Sequence, residues 1–308
     1  MTFLSRVVVN SRFFLRISRL KIPPKIASIC QKNLCSQSLS SLEMSSSKKG
    51  NLSKIVALFN EFMPPSLAES WDNVGLLVEP TQPHNVSKIL LTNDLTPEVL
   101  NEAIDLKANF ILSYHPPIFS PLKRLCQSSW KQKLIVRAIE NRIAIYSPHT
   151  SCDALKNGVN DWLLSAFGKP PMPDTGIGRI AKLQTSITLT EAIEIIKKHL
   201  KLPHLRVATA HGPGFSFTDK TIKTVAVCAG SGSTVLRGVR ADLYVSGEMS
   251  HHDVLDAIHN GSSVLLCEHS NTERGYLSQL KISLENLLSE LTVEVCVSNI
   301  DADPLKIN

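Results

Sequence analysis

From residue 52 onward, short apolar runs alternate with helical-period segments, and that alternation most narrows the folds open to this chain. Apolar runs at 86–91, 109–113 and 143–146 read as strands buried on both faces, which only helices on either side can cover. The helical segments supply that cover. Leu52, Ile55, Val56, Phe59 and Phe62 share one helical face ahead of the stop at Pro64-Pro65. Thr96 is an N-cap with Pro97 at the first helical position, and 130–141 and 159–167 follow as further helices. The stretch 168–178, with three prolines and three glycines, reads as a linker. Beyond it strands are expected at 180–187, 205–210, 221–228, 241–245, 263–267 and 291–297. Helices are expected up to residue 200, from a Thr188/Glu191 capping box, and at 234–239, 250–260 and 272–290. Alternation on both sides of a linker predicts an α/β fold with substantially parallel pairing. The expected division is an N-terminal α/β lobe over 52–167 and a C-terminal α/β lobe over 179–308. No short-period repeat is present, which excludes a solenoid or propeller.

In such folds ligands gather beyond the C-terminal ends of the strands. Four segments at those ends carry residues able to bind metal: Tyr114-His115-Pro116, His149-Thr150-Ser151-Cys152-Asp153, Gly247-Glu248-Met249-Ser250-His251-His252 and Glu268-His269-Ser270-Asn271-Thr272-Glu273. Each has an ordinary reading of its own. Glu273 and Asp153 would favour a helix N-terminus, Ser250 and Asp253 form a capping box, and a single strand-end histidine more often packs than ligates. Convergence of His115, His149 and His269 with Asp153 and Glu273 favours a metal site gathered from distant parts of the chain. His251 and His252 diverge by about 100° on a helix, so at most one of them reaches a metal directly.

Charge and cysteine usage bound the remaining classes. Residues 1–42 hold seven Lys or Arg and no acid, while the rest of the chain holds 26 bases and 27 acids. A near-neutral body does not support direct nucleic-acid binding. The basic, Ser-rich and amphipathic segment 1–43 reads as a targeting presequence or leader. A mitochondrial location is expected for a chain started at Met1, and a cytoplasmic one for a start at Met44. No apolar run reaches the ~20 residues that span a bilayer. Five scattered cysteines in the body, without a CxxC pair, fit a reducing compartment. Gly230-Ser231-Gly232-Ser233 is a weak phosphate-turn signal, since Val235 stands where a dinucleotide fingerprint needs glycine. No serine lies in a nucleophile elbow.

The motifs Ser70-Trp71-Asp72-Asn73-Val74-Gly75-Leu76, Tyr114-His115-Pro116-Pro117-Ile118-Phe119, His149 to Asp153, Gly247 to His252 and Glu268 to Arg274, in this order, resemble the Nif-three-like family (NGG-one-interacting factor three). Bacterial members of that family carry the label GTP cyclohydrolase type 2. The form Tyr-His-Pro-Pro resembles the eukaryotic branch. The resemblance implies two α/β lobes around a metal-binding cleft and a homohexamer. It implies divalent metal, two ions per subunit (zinc, iron or manganese), on His115, Asp153, His269 and Glu273, with His149 beside them. Tyr114 departs from the bacterial pattern, which has a second ligating histidine there. The segment 168–178 is too short for the middle domain inserted in many members.

Two functions follow as expectations. One is metal-dependent hydrolysis of a nucleotide-like substrate. Glu273 and His149 would be the catalytic residues, and Tyr114, Glu248, His251 and His252 would surround the ligands. The other is a non-catalytic role, as a metal-handling protein or a transcriptional corepressor scaffold acting through protein contacts.

Overall fold

The structure is a computed structural model that describes residues 50–168, 176–210 and 220–306. The expected presequence, and residues 169–175 of the expected linker, lie outside the described residues. In chain order the described elements begin with β1 (Gly50–Asn51), α1 (Leu52–Phe62), β2 (Gly75–Val78), β3 (Asn85–Val86), β4 (Lys88–Thr92), α2 (Pro97–Asp105) and β5 (Phe110–Ser113). They continue with α3 (Trp130–Glu140), β6 (Ala144–Ser147), α4 (Thr150–Ala154), α5 (Val159–Leu164), β7 (Arg179–Thr188), α6 (Leu189–Leu200) and β8 (Arg206–Ala208). The last are β9 (Thr221–Ser231), α7 (Ser233–Leu236), β10 (Leu243–Glu248), α8 (His251–His259), β11 (Ser263–Leu266), α9 (Leu277–Leu287) and β12 (Glu294–Val297). Among the described residues no helix is long and apolar enough to cross a membrane.

Helix starts follow local chemistry. Asn51 accepts from the amides of Ser53 and Lys54, Thr96 from Val99, and Ser129 from Gln132. Thr188 and Glu191 form a reciprocal capping box, as their spacing predicts.

Two five-stranded sheets carry ten of the described strands, and β1 pairs antiparallel with β3 in a separate two-stranded sheet. The first runs β12-β4-β5-β6-β2, with β12, β4, β5 and β6 parallel and β2 antiparallel at the edge. The second runs β7-β9-β10-β11-β8, with β9, β10 and β11 parallel between antiparallel edges. The fold is thus mixed α/β with parallel sheet centres, in line with the alternation. One face of each sheet joins a shared core: Ile89, Leu91, Phe110 and Leu112 on the first, Val225, Val227, Val245 and Leu265 on the second. The opposite face of the first sheet packs Leu90, Ile111 and Ile145 against Val99, Leu100 and Ile135. That of the second packs Cys228, Tyr244 and Val264 against Leu236 and Ile258. With both faces covered, the parallel strands are continuous apolar runs.

Several features differ from the sequence reading, among them the split of the expected 86–91 strand into β3 and β4. Strand β2 was not anticipated, because its four residues follow the irregular 70–74 segment. The helix expected over 272–290 starts late: 3₁₀ turns at Ser270–Thr272 and Arg274–Tyr276 precede α9, and Glu273 lies between them. The final strand belongs to the first sheet. Leu277, Leu280 and Leu284 of α9 are buried in the shared core, and β12 pairs in parallel with β4 and covers its edge. The segment assigned to a C-terminal lobe over 179–308 therefore contributes a strand to the N-terminal sheet.

Candidate metal site

The C-terminal ends of parallel strands from both sheets converge on one carboxylate, Glu273, which is 3% exposed. Its Oε2 lies 3.3 Å from His115 Nε2 and its Oε1 lies 3.3 Å from His269 Nε2. His115 comes from the end of β5 and His269 from the end of β11. One donor atom from each of the three residues falls within 4.8 Å of the others, a group that could hold a metal ion. Backbone closure makes this convergence possible. Tyr114 and His115 amides donate to the carbonyls of Thr92 and Asn93, extending the β4–β5 pairing past the strand ends. Ser113 Oγ donates to the His115 carbonyl at 2.6 Å ahead of Pro116-Pro117.

Each imidazole of the cleft is held on its other nitrogen by a separate carboxylate. His115 Nδ1 lies 2.9 Å from Asp94 Oδ1, His269 Nδ1 2.9 Å from Glu248 Oε1, and His149 Nδ1 2.7 Å from Asp72 Oδ1. A carboxylate accepts but does not donate, so these contacts keep a proton on Nδ1 and make Nε2 the nitrogen through which His115 and His269 could ligate, once a cation displaces the proton shared with Glu273. Metal-ligating histidines carry this outer arrangement, which fixes tautomer and ring orientation. The site also contains an unpaired buried acceptor. Asn93 is fully buried and its Nδ2 donates to Glu273 Oε2 at 3.1 Å, while its Oδ1 has no hydrogen-bond partner. Two imidazole nitrogens and a buried carboxylate, with an unsatisfied amide oxygen on the neighbouring Asn93, form a set that fits a divalent cation of borderline softness.

The electrostatics agree with that fit. Burial pushes the Glu273 carboxyl up, but the charge and hydrogen bonds of His115 and His269 outweigh it and hold it well below the usual range. His269 is pushed up to about 9, first by its hydrogen bond to Glu273 against the opposing effect of burial. His115 is pushed up to about 10 because Glu273 and Asp94 overcome its desolvation. Protons therefore compete with a cation for these two nitrogens.

Asp153 sits on the short helix α4, and its Oδ1 accepts from the hydroxyl of Tyr114. It lies outside the three-residue donor group. Desolvation pushes its carboxyl up to about 6. Burial, with the charges of Asp153 and Glu273, pushes the Tyr114 phenol well above its ordinary value, so Tyr114 stays a neutral donor. The rings of Tyr114, His115 and His149 pack edge to face at 5.3–6.1 Å between centroids. Glu248 reaches the cluster through His269. His251 and His252 lie exposed on the first turn of α8, where their described ring contact is with each other.

Backbone geometry is unusual at the same places. His149 has φ +30° and Glu268 φ +64°, uncommon values for residues with a side chain. Gly230, φ +64°, passes so close that a Cβ there would fall 2.6 Å from Glu273 Oε1 and 2.9 Å from His269 Nε2. The residues that sequence reading missed are Asp72, Asn93 and Asp94. Asn93 and Asp94 follow β4, so the strand-end rule used for the other ligands would have reached them.

Comparison with known proteins places this architecture. Residues 50–304 match the Duf34/NIF3 (NGG1p interacting factor 3) family. A "NIF3-like protein 1" of Drosophila melanogaster is 44% identical, covering 82% of this chain and 88% of its own length. The human "NIF3-like protein 1" is 38% identical, covering 83% and 92%. A Saccharomyces cerevisiae protein, "NGG1-interacting factor 3", is 38% identical, covering 84% and 98%. Among solved structures, a Bacillus cereus protein related to NIF3 superposes with TM-score 0.74 at 23% identity, covering 84% of this chain and 99% of that one. Reduced HcgD from Methanocaldococcus jannaschii superposes with TM-score 0.69 at 27% identity, covering 82% and 99%. The chain therefore belongs to the Duf34/NIF3 family, and has its fold.

Proposed function

We propose that this protein binds a divalent metal ion through His115, His269 and Glu273 and uses it to hydrolyse a substrate entering the cleft. The observation that carries the reading is the carboxylate behind each imidazole, because a packing histidine has no need of one. A bound zinc, manganese or iron ion would supply Lewis acidity and lower the pKa of a water in contact with it. The chain's own residues do the rest. Asp94 and Glu248 orient the two ligating rings, and Asn93 orients the Glu273 carboxylate. His149, held at Nδ1 by Asp72, leaves Nε2 to take a proton from water and return it to a leaving group. Trp71 and Phe119, 58% and 47% exposed with rings 6.0 Å apart, form an apolar wall next to His149.

The test uses the full chain purified without chelator or affinity-tag metal. Metal content by mass spectrometry should be near stoichiometric, and His115→Ala and Glu273→Gln should each lose it. Zinc- or manganese-loaded protein should hydrolyse members of a panel of phosphoesters, amides and cyclic ureides, with His149→Ala slowed by about 10²–10⁴-fold, the usual scale of general acid–base catalysis. Absence of metal after loading would overturn the reading. Metal without hydrolysis across the panel would leave only the binding half.

The name of the Saccharomyces cerevisiae relative favours a second reading, in which the chain contacts a protein partner in transcription regulation. A scaffold of that kind would bind its partner equally well with Glu273→Ala, whereas a hydrolase would lose its activity.

A further inference from the structure

We propose that the cleft takes a single divalent ion, and that Tyr114, by holding Asp153, sets that limit. This inference rests on the metal-binding reading above and concerns how many ions the cleft accepts. Asp153, buried beside Tyr114, is the carboxylate whose release could help complete a second position. Its carboxylate is already engaged by the Tyr114 hydroxyl through Oδ1. The nearby amide of Asn160 donates to the Asp153 backbone carbonyl at 3.1 Å, which fixes the residue in place.

Tyr114 cannot swing aside easily. Its side chain is fully buried, with ring centroids 5.4 Å from His115 and 6.1 Å from His149. Its backbone is pinned from three directions. The amide donates to Thr92 at 2.8 Å, and the carbonyl accepts from Ser147 Oγ at 2.9 Å and from the His149 amide at 3.2 Å. The phenol therefore fills the corner between His115, His149 and Asp153. It presents a hydroxyl proton where a metal would need a lone pair. A phenol hydroxyl already donating to a carboxylate is a poor ligand beside imidazole and carboxylate. His115 and His269, by contrast, meet with ring centroids 5.2 Å apart and both bring Nε2 to the Glu273 carboxylate, whose Oε2 also accepts from Asn93 Nδ2. One ion on His115, His269 and Glu273 thus leaves Asp153 as a positioning residue for Tyr114 and not a ligand.

Metal counting tests this on the full chain, loaded separately with excess zinc or manganese, desalted, and measured by mass spectrometry of metal against protein. The wild type should retain about one ion per subunit. Asp153→Asn keeps an acceptor for the Tyr114 hydroxyl and should retain the same amount, while Glu273→Gln should retain none. Tyr114→Phe frees Asp153 and should raise the content toward about two. Two tightly held ions in the wild type, or loss of metal in Asp153→Asn, would overturn the proposal while leaving metal binding intact. An unchanged single ion in a folded Tyr114→Phe would overturn the role of Tyr114. Should Tyr114→Phe not fold, the Asp153→Asn measurement still decides whether Asp153 is a ligand. No metal in the wild type would overturn the metal-binding reading itself, so the two failures are distinguishable.

Discussion

Asp72 accepts a hydrogen bond on each carboxylate oxygen, from His149 Nδ1 on one and from the amide and hydroxyl of Thr150 on the other. One side chain thereby fixes both the imidazole at the end of β6 and the start of α4, and its own side chain has no exposed area. Burial alone would push this carboxyl up, but the hydrogen bonds and charge of His149 and the bonds from Thr150 bring it down to about 2. A depressed carboxyl contributes stability that is complete above its unfolded value, near 3.8, and is lost as pH falls through about 2. Asp72→Asn should therefore cost about 2 kcal/mol at neutral pH, at ~1.4 kcal/mol per pKa unit. Denaturant unfolding from pH 7 to pH 2 should show the gap between the two proteins closing below about pH 4. A constant gap would show that the lost stability is packing and not charge. Asp72 also marks where the sequence stops being readable. His115, His149, His269 and Glu273 were visible as metal-binding residue types at strand ends. Their carboxylate partners were less so, because Asp72 lies 77 positions from His149. Asp94 and His115, like Glu248 and His269, are each 21 positions apart. Nothing in spacing pairs such residues until the strands are laid side by side.

The ends of elements, more than their middles, shape the cleft. Strand β9 was expected to stop at residue 228, where its apolar run ends, yet it continues to Ser231 because glycine lets the backbone pass against Glu273 and His269. Apolar periodicity located β4, β5, β6, β10 and β11, and with them the strand ends where the ligands sit. It did not show that Glu273 would lie between two 3₁₀ turns, since that depends on contacts from a distant strand: Thr272 Oγ1, for one, accepts from the Gly230 amide of β9 at 2.8 Å. Two glycines make a controlled comparison. Gly230→Ala faces both a left-handed backbone, φ +64°, and the collision with the ligands, whereas Gly238→Ala has φ +76° and open space around the added carbon. Gly238→Ala should cost only the left-handed penalty, roughly 1–2 kcal/mol, and leave metal content unchanged. Gly230→Ala should cost more than that and also lose metal. Equal effects of the two substitutions on metal content would show that Gly230 matters for its backbone angle alone.

At the scale of the molecule, the return of the chain's last strand to the first sheet decides how the two halves of the cleft stay in register. Past β12, Asp301 accepts from the amide of Asn93 at 2.8 Å, at the end of β4. The same carboxylate pairs with Arg274 at 3.2 and 3.3 Å, one residue beyond Glu273 on the segment that leaves the second sheet. Asp303 adds a 2.6 Å bond from Ser270 Oγ. The segment past β12 thus joins an element of each sheet next to the donor group. The Asp301 side chain is 2% exposed and that of Arg274 is 21% exposed, so water can compensate only part of a loss. Removing the carboxylate leaves the buried Asn93 amide without its acceptor and the Arg274 guanidinium without its counter-charge, though Nη2 keeps Ser270 Oγ at 3.0 Å; groups of this kind cost about 1–3 kcal/mol each. Asp301→Ala should lower stability by about 2–4 kcal/mol on that scale and weaken metal binding, although Asp301 is not in the donor group. Asp301→Asn, which keeps one acceptor oxygen, should recover part of both. Thermal unfolding with and without zinc separates the two effects. If the tail holds the halves in register, zinc should raise the midpoint of Asp301→Ala by less than it raises that of the wild type. An equal rise would mean that the tail stabilises the fold without setting the geometry of the site.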